Sequence, residues 1–264
     1  MKDNHSNFDQ LLTIMRKLRG PGGCPWDAEQ THESLTRYLL EETYEVIEAI
    51  DEKSPQHLKE ELGDLLLQPI FHAAIAEETG DFNINDVIDT LCEKLIRRHP
   101  HVFGNLDIKD SNAQIENWER IKKDEKGAER PSALSGIPNH LPALLKAHKI
   151  SEKASRVGFD WDHSDQVFAK VMEELHEFEE AWAGGNPLRM EDELGDLLFS
   201  IVNLGRFLAL NPEEALRKTL NRFQKRFSYV EDSLHSQGKQ MQNTTLEEMD
   251  LLWEQAKAGE RTAD

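Results

Sequence analysis

Apolar residues recur every three or four positions along most of the chain, a period that predicts helices. Val171, Leu175, Phe178 and Trp182 share one helical face, and Leu194, Leu197, Leu198, Ile201 and Gly205 share the next. AGGNP at 183–187 separates the two runs as a Gly-Pro turn should. The same reading places helices near 8–19, 35–52, 57–79 and 85–99. Alternating strand patterns of useful length are absent, so the expected class is all-α, built as small bundles of about four helices.

The bundles come as a repeat. EETYE at 41–45 and ELGD at 61–64 reappear 132 positions later as EELHE at 173–177 and ELGD at 193–196. GCPWD at 23–27 has a counterpart in GFDWD at 158–162, and KLIRRHPHV at 94–102 in RFQKRFSYV at 222–230. Four landmarks in one order point to duplication. Between the copies the chain is polar and carries Pro and Gly over 123–142. The expected organisation is a first domain at 1–125, a linker at 126–145 and a second domain at 146–264, each of ordinary small-domain size.

Composition narrows the chemistry. In 264 residues, 38% are hydrophobic and 31% charged, and the formal charge is −19. That balance argues against nucleic-acid or anionic-membrane partners, whose phosphates need basic stripes. Cys24 and Cys92 make neither a disulfide framework nor a zinc quartet, which suits a reducing cytosol. The opening MKDNHSNFDQ lacks the basic and then apolar order of a signal peptide, and no run reaches the roughly 20 apolar residues of a membrane helix. A cytoplasmic protein is expected.

The repeated acids carry the main functional signal. Residues three or four apart share a helical face, so Glu173, Glu174 and Glu177 form one acidic patch, and Glu193 and Asp196 a second on the following helix. Antiparallel packing across AGGNP brings the patches together, and converging carboxylates repel unless a cation sits among them. Mg²⁺, which prefers oxygen ligands and retains water or substrate phosphates, answers that need, with Mn²⁺ as the alternative ion. At 100° per residue, Glu193, Asp196, Ser200, Asn203 and Phe207 line one side of their helix, opposite the Leu197, Leu198 and Ile201 stripe. An acidic stripe continued by small polar groups and an aromatic suggests a second covered surface. Lys170 and Arg189 stand four residues before Glu174 and Glu193, and Arg222, Lys225 and Arg226 cluster on the last long helix. In so acidic a chain, cations flanking such a site suit a polyphosphate. Each also has an ordinary reading as an intrahelical ion pair.

Two other readings fit parts of the pattern. A di-iron carboxylate bundle wants Glu-x-x-His on two helices, and Glu173 with His176 matches formally, although the first copy has Tyr44 there. A non-catalytic helical module with solvated acidic faces is the other. Trp26 and Trp161 line a base pocket or anchor their loops. His99 and His101 read as a helix end and a turn, and the cysteines as packing residues.

The ordered set EExxE followed sixteen residues later by ExxD, present twice in a helical chain, resembles the MazG family of all-α nucleoside triphosphate pyrophosphohydrolases, related to the dimeric helical dUTPases. The resemblance spans nearly the whole chain, through GGCPWD at 22–27, EETYEV at 41–46, RRHPHVF at 97–103, VGFDW at 157–161 and Trp253. It implies two tandem MazG-like four-helix bundles, a homodimer, and Mg²⁺-dependent hydrolysis of nucleoside triphosphates to the monophosphate and pyrophosphate. By position it implies Glu174, Glu177, Glu193 and Asp196 as metal ligands, and Glu173 or Glu174 as the proton acceptor for the attacking water. Lys170, Arg189, Arg222 and Arg226 become phosphate contacts, Glu173 and Asp196 further nucleotide contacts, and Trp253 part of the nucleotide pocket. The family often reads Asn-x-Lys-Phe-x-Arg-Arg-Phe on the last helix, where this chain has Leu220 for the Asn and Arg222 for the Lys.

Comparison of the copies predicts which one works. The first keeps Glu41, Glu42, Glu45, Glu61 and Asp64, a second and weaker candidate site. It replaces Lys170, Arg189 and Asn203 by Tyr38, His57 and Phe71, and it carries Pro69 where the second copy has Ile201. A proline inside a helix removes a backbone hydrogen bond at a cost of about 3 kcal/mol. The turn after Asp64 should therefore be disturbed. The second copy is expected to be catalytic and the first degenerate, structural or regulatory.

Overall fold

A computed structural model describes residues 6–261, apart from 107–109, 111–112, 115–116, 119, 122–124 and 126–131. The described residues form helices joined by turns, with no strand among them. The chain divides between Glu125 and Lys126 into two compact units. Positions 126–131 of the expected linker lie outside the described residues.

The first unit contains α1 (Asn7–Arg19), α2 (Pro25–Glu29), α3 (His32–Asp51), α4 (Pro55–Thr79), α5 (Ile84–Arg98) and α6 (Pro100–Phe103). Local chemistry sets these bounds. Ser6 and Thr31 each close a capping box that satisfies the free N–H groups of the first turn. Pro55 opens α4 at a position with no N–H to waste, and Gly80, at φ 78°, ends it. α3 and α4 form a hairpin that packs against α1 and α5. Met15, Leu35, Ile70, Phe71, Ala73, Ile75 and Ile84 make its core. The nearly buried Arg19 fastens the α2 segment to the hairpin, donating to the Asp27 and Gln30 carbonyls and to both carboxylate oxygens of Glu78.

The second unit contains α7 (Ala143–Ser155), α8 (Ser164–Gly184), α9 (Pro187–Phe207), α10 (Pro212–Ser236) and α11 (Leu246–Arg261). Its centre is the α8–α9 hairpin, flanked by α7, with α10 against α7 and α11 against α10. The AGGNP turn performs as its sequence requires. Gly185 takes φ 65°, Asn186 caps α9 through the N–H groups of Leu188 and Arg189, and Pro187 occupies the first helical position.

Two expectations are corrected. The unit covers α9 at Val202, 1% exposed, and at Ser200, with Glu193 partly covered, while Leu198 and Ile201 of the expected apolar stripe are about half exposed. Burial follows the partner helix: α8 offers Glu174 and Ala181 to that side and leaves Phe168, Met172 and Trp182 outside. Helix α4 runs through Pro69 from Pro55 to Thr79, in keeping with the expected 57–79 span. Pro69 is exposed, so water can serve the carbonyl it leaves unpaired. Trp26 also sits in a short helix rather than a loop, edge-on to Tyr38 with ring centroids 5.8 Å apart.

Candidate metal centre and nucleotide site

The α8–α9 hairpin converts two distant sequence motifs into one acidic cluster. Glu174 and Glu177, one turn apart on α8, meet Glu193 of α9, and each offers a carboxylate oxygen within 4.8 Å of the others. Glu174 is only 6% exposed, and its Oε2 is buried without a hydrogen-bond partner. A buried carboxylate oxygen left unpaired is costly unless something positive meets it. The ammonium of Lys170 meets the other oxygen: Nζ lies 2.8 Å from Glu174 Oε1 and 2.7 Å from Glu173 Oε1. Those two carboxylates hold the Lys170 ammonium well above its ordinary pKa. Burial, then the neighbouring charges of Glu174 and Glu193, push the Glu177 carboxyl above the usual carboxylate range. Three hard oxygen donors, one of them unpaired, are a donor set that fits a divalent cation.

The remaining predicted residues fall into three places. Arg189 sits beside the cluster with Nε 3.4 Å from Glu193 Oε1, while Glu173 stays exposed on its rim. Asp196, one turn beyond Glu193, is exposed and lies outside the 4.8 Å group. Arg222, Arg226 and Trp253 gather instead on α10 and α11. Arg226 donates to Glu260 at 2.6 and 3.0 Å and lies 5.7 Å from the Trp253 ring, and Arg222 donates to Thr219 at 2.9 Å. No ion pair among the described residues joins this group to the acidic cluster. His176 of the Glu-x-x-His match is exposed and faces Glu179 and Glu180, away from the cluster, which removes the di-iron reading's ligand.

The first unit builds the same trio from Glu42, Glu45 and Glu61, again within 4.8 Å, despite Pro69. Burial, and then the charges of Glu45, Asp64 and Glu61, raise the Glu42 carboxyl. Glu41 and Asp64 lie at the counterpart positions of Glu173 and Asp196, outside the trio. The flanking cation differs. His57 takes the place of Arg189, with Nε2 3.1 Å from Glu61 and Nδ1 2.8 Å from Glu52, and carries charge only when protonated. The Lys170 position holds Tyr38.

Other residues weighed from the sequence lie elsewhere. His99 places Nδ1 2.7 Å from the Leu95 carbonyl and packs edge-on against Trp118, a helix-end role. Cys92 is exposed, so it is not a packing residue, and both thiols are free. Trp161, weighed above for a base pocket, does line a 420 Å³ cavity in the second unit, together with Phe159, Phe199 and Asn203, which the sequence did not single out as a group. Its signal was present in the aromatic Phe159 and Trp161 pair, but the wall contributed by α7 was invisible without the fold.

Comparison with known proteins follows the same residues. The model of the MazG nucleotide pyrophosphohydrolase domain matches residues 30–103 and again 163–230, one match in each unit. The chain is 51% identical over 262 residues to the nucleoside triphosphate pyrophosphohydrolase/pyrophosphatase MazG of Thermotoga maritima, covering 99% of this chain and 100% of that one. It is 44% identical over 259 residues to the nucleoside triphosphate pyrophosphohydrolase of Escherichia coli K12, covering 97% and 98%. A crystal structure of a MazG-related protein from Thermotoga maritima aligns with 44% of this chain and 98% of its own, at 32% identity and a TM-score of 0.38. With the domain matched twice and the acids of both copies assembled as trios, the chain belongs to the MazG nucleotide pyrophosphohydrolase family.

Proposed function

We propose that the second unit hydrolyses nucleoside triphosphates to the monophosphate and pyrophosphate, with Mg²⁺ held by Glu174, Glu177 and Glu193 and approached by Asp196. The observation that carries this reading is the buried, unpaired Oε2 of Glu174 inside the trio. The names of the relatives support the same reaction. When bound, the ion would neutralise phosphate charge and lower the pKa of bound water.

The chain's own residues supply position and proton traffic. Lys170 and Arg189 stand beside the cluster as cations for phosphate oxygens, and each is now held by a carboxylate that a phosphate can replace. Water's oxygen joins the α-phosphorus, the P–O bond toward the β-phosphate breaks, and pyrophosphate departs. Glu173, exposed at the rim and outside the trio, is the carboxylate placed to take the water's proton. Arg222, Arg226 and Trp253 are assigned to the nucleotide by family position. Phe168, Met172, Leu194, Leu198 and Ile201 form an apolar face that the unit does not cover, which supports a homodimer. The first unit, with histidine and tyrosine in place of arginine and lysine, is assigned a structural or regulatory role.

The test is a panel of NTPs and dNTPs with Mg²⁺, assayed for both phosphate products. Pyrophosphate with monophosphate is expected. Orthophosphate with diphosphate, or no turnover, would overturn the assignment.

A further inference from the structure

We propose that His32 and His72 form a separate metal site in the first unit, which takes a transition ion such as Zn²⁺ through two imidazole nitrogens. The proposal does not depend on the nucleotide reading of the acidic cluster. The two Nδ1 atoms lie 2.8 Å apart, one on the first residue of α3 and the other late in α4. The ring planes are within 4° of parallel and the centroids are 5.1 Å apart. That centroid distance is about the largest that a 2.8 Å contact between two imidazoles allows. The rings therefore meet edge to edge, and each Nδ1 aims at the other.

In the metal-free protein such a contact holds one proton, given by one ring and accepted by the other. A metal ion can take the place of that proton, because two nitrogens on two helices already converge on one point. At Zn–N lengths of about 2.0–2.1 Å, a tetrahedral ion needs its two nitrogens about 3.3–3.4 Å apart. From 2.8 Å the pair must open by about 0.5–0.6 Å. His32 is exposed and can swing that far, while His72 is partly buried and fixes the site against α4.

Two neighbouring features favour an ion there. Burial, and then the charge of His32, push the His72 pKa down, which favours the neutral ring that a metal requires. Gln68, 5% exposed and one turn before His72 on the same face of α4, buries an Oε1 with no hydrogen-bond partner. Helical side chains lean toward the N-terminus, which carries the His72 ring over the Gln68 turn. That oxygen is then the acceptor for a water on the ion.

Donor type and position set the site apart from the acid trios. Carboxylate oxygens suit Mg²⁺, whereas imidazole nitrogen suits Zn²⁺, Ni²⁺ or Cu²⁺. His72 follows Glu61 by eleven residues, about 16 Å along the helix axis. The duplication does not copy the pair, since its counterparts are Ser164 and Leu204. The ion would thus belong to the first unit alone and tie the start of α3 to α4.

The experiment is Zn²⁺ titration calorimetry on the full chain in excess Mg²⁺, which competes for the acid trios. Wild type, His32→Ala and His72→Ala are compared, and ¹⁵N NMR of the imidazoles is the second readout. One Zn²⁺ per chain should bind wild type with an affinity that falls tenfold or more in each variant. Zn²⁺ should move the Nδ1 resonances of both histidines, and Mg²⁺ alone should leave them in place. Because His32 is exposed, His32→Ala keeps the fold and decides the matter even where His72→Ala does not fold. A folded variant whose Zn²⁺ affinity falls less than tenfold, Nδ1 resonances that ignore Zn²⁺, or resonances that follow Mg²⁺ equally would overturn the site.

Discussion

Replacing Glu174 by Gln separates the charge of the cluster from its packing. In the metal-free protein the change deletes two repulsions, to Glu177 and Glu193, each at least about 3.5 kcal/mol for oxygens within 4.8 Å and an effective dielectric near 20. It also deletes the attraction of Lys170 at 2.8 Å, about 6 kcal/mol on the same scale. The deleted repulsions at least offset the deleted attraction, so the metal-free variant should be no less stable than wild type. The metal response should differ sharply. Mg²⁺ at about a hundred times its dissociation constant stabilises wild type by about 2.7 kcal/mol. If loss of this ligand weakens binding about a hundredfold, only about 0.4 kcal/mol remains. At about 2–4 °C per kcal/mol, the magnesium-induced rise in Tm should fall from about 5–11 °C to about 1 °C. Differential scanning calorimetry across a Mg²⁺ titration reads both quantities. A variant whose Tm rises with Mg²⁺ as much as wild type's would refute the reasoning, because the buried oxygen would then face no ion.

The remaining predictions bear on the duplication and on pH. Glu193→Gln should abolish pyrophosphate release while Glu61→Gln leaves it within about twofold, measured as steady-state turnover; equal losses would reassign the active copy. The Glu177 and Glu42 carboxyls are raised in the folded protein, so their contribution to stability is full below the ordinary carboxylate pKa and is lost as pH rises through their raised values. The metal-free Tm should therefore carry a component that falls with rising pH across that window, and the Mg²⁺ increment should grow over it; an increment independent of pH would contradict the coupling. Pro69→Ala restores an N–H donor within α4 and should raise the stability of the first unit by up to about 3 kcal/mol with turnover unchanged, as chemical denaturation would show.

The parts of this molecule legible in its sequence are those governed by local rules. Helix bounds at Ser54–Pro55 and Asn186–Pro187 follow from caps and proline, and the meeting of Glu174 with Glu193 follows from a two-sided turn whose only short closure is antiparallel. Burial was not legible, because a helix with both an apolar and a polar stripe does not declare which neighbour it will have. On α9 the unit covers Val202 but also Ser200, and it leaves Leu198 and Ile201 exposed, which for those last three inverts what hydrophobicity alone assigns. The inversion has a physical reason. A hairpin that turns its acids inward must turn its leucines outward, since at 100° per residue the two lie on different sides of one helix. The acidic centre and the exposed apolar face are therefore one design constraint seen from two sides, and the homodimer proposed above would satisfy the second. The same logic explains how the copies diverged. Changing Asn203 to Phe71 fills a cavity, and changing Arg189 to His57 weakens a cation, yet neither disturbs the hairpin that both units need to fold. Both acidic trios thus persist, while the residues around them differ between the units.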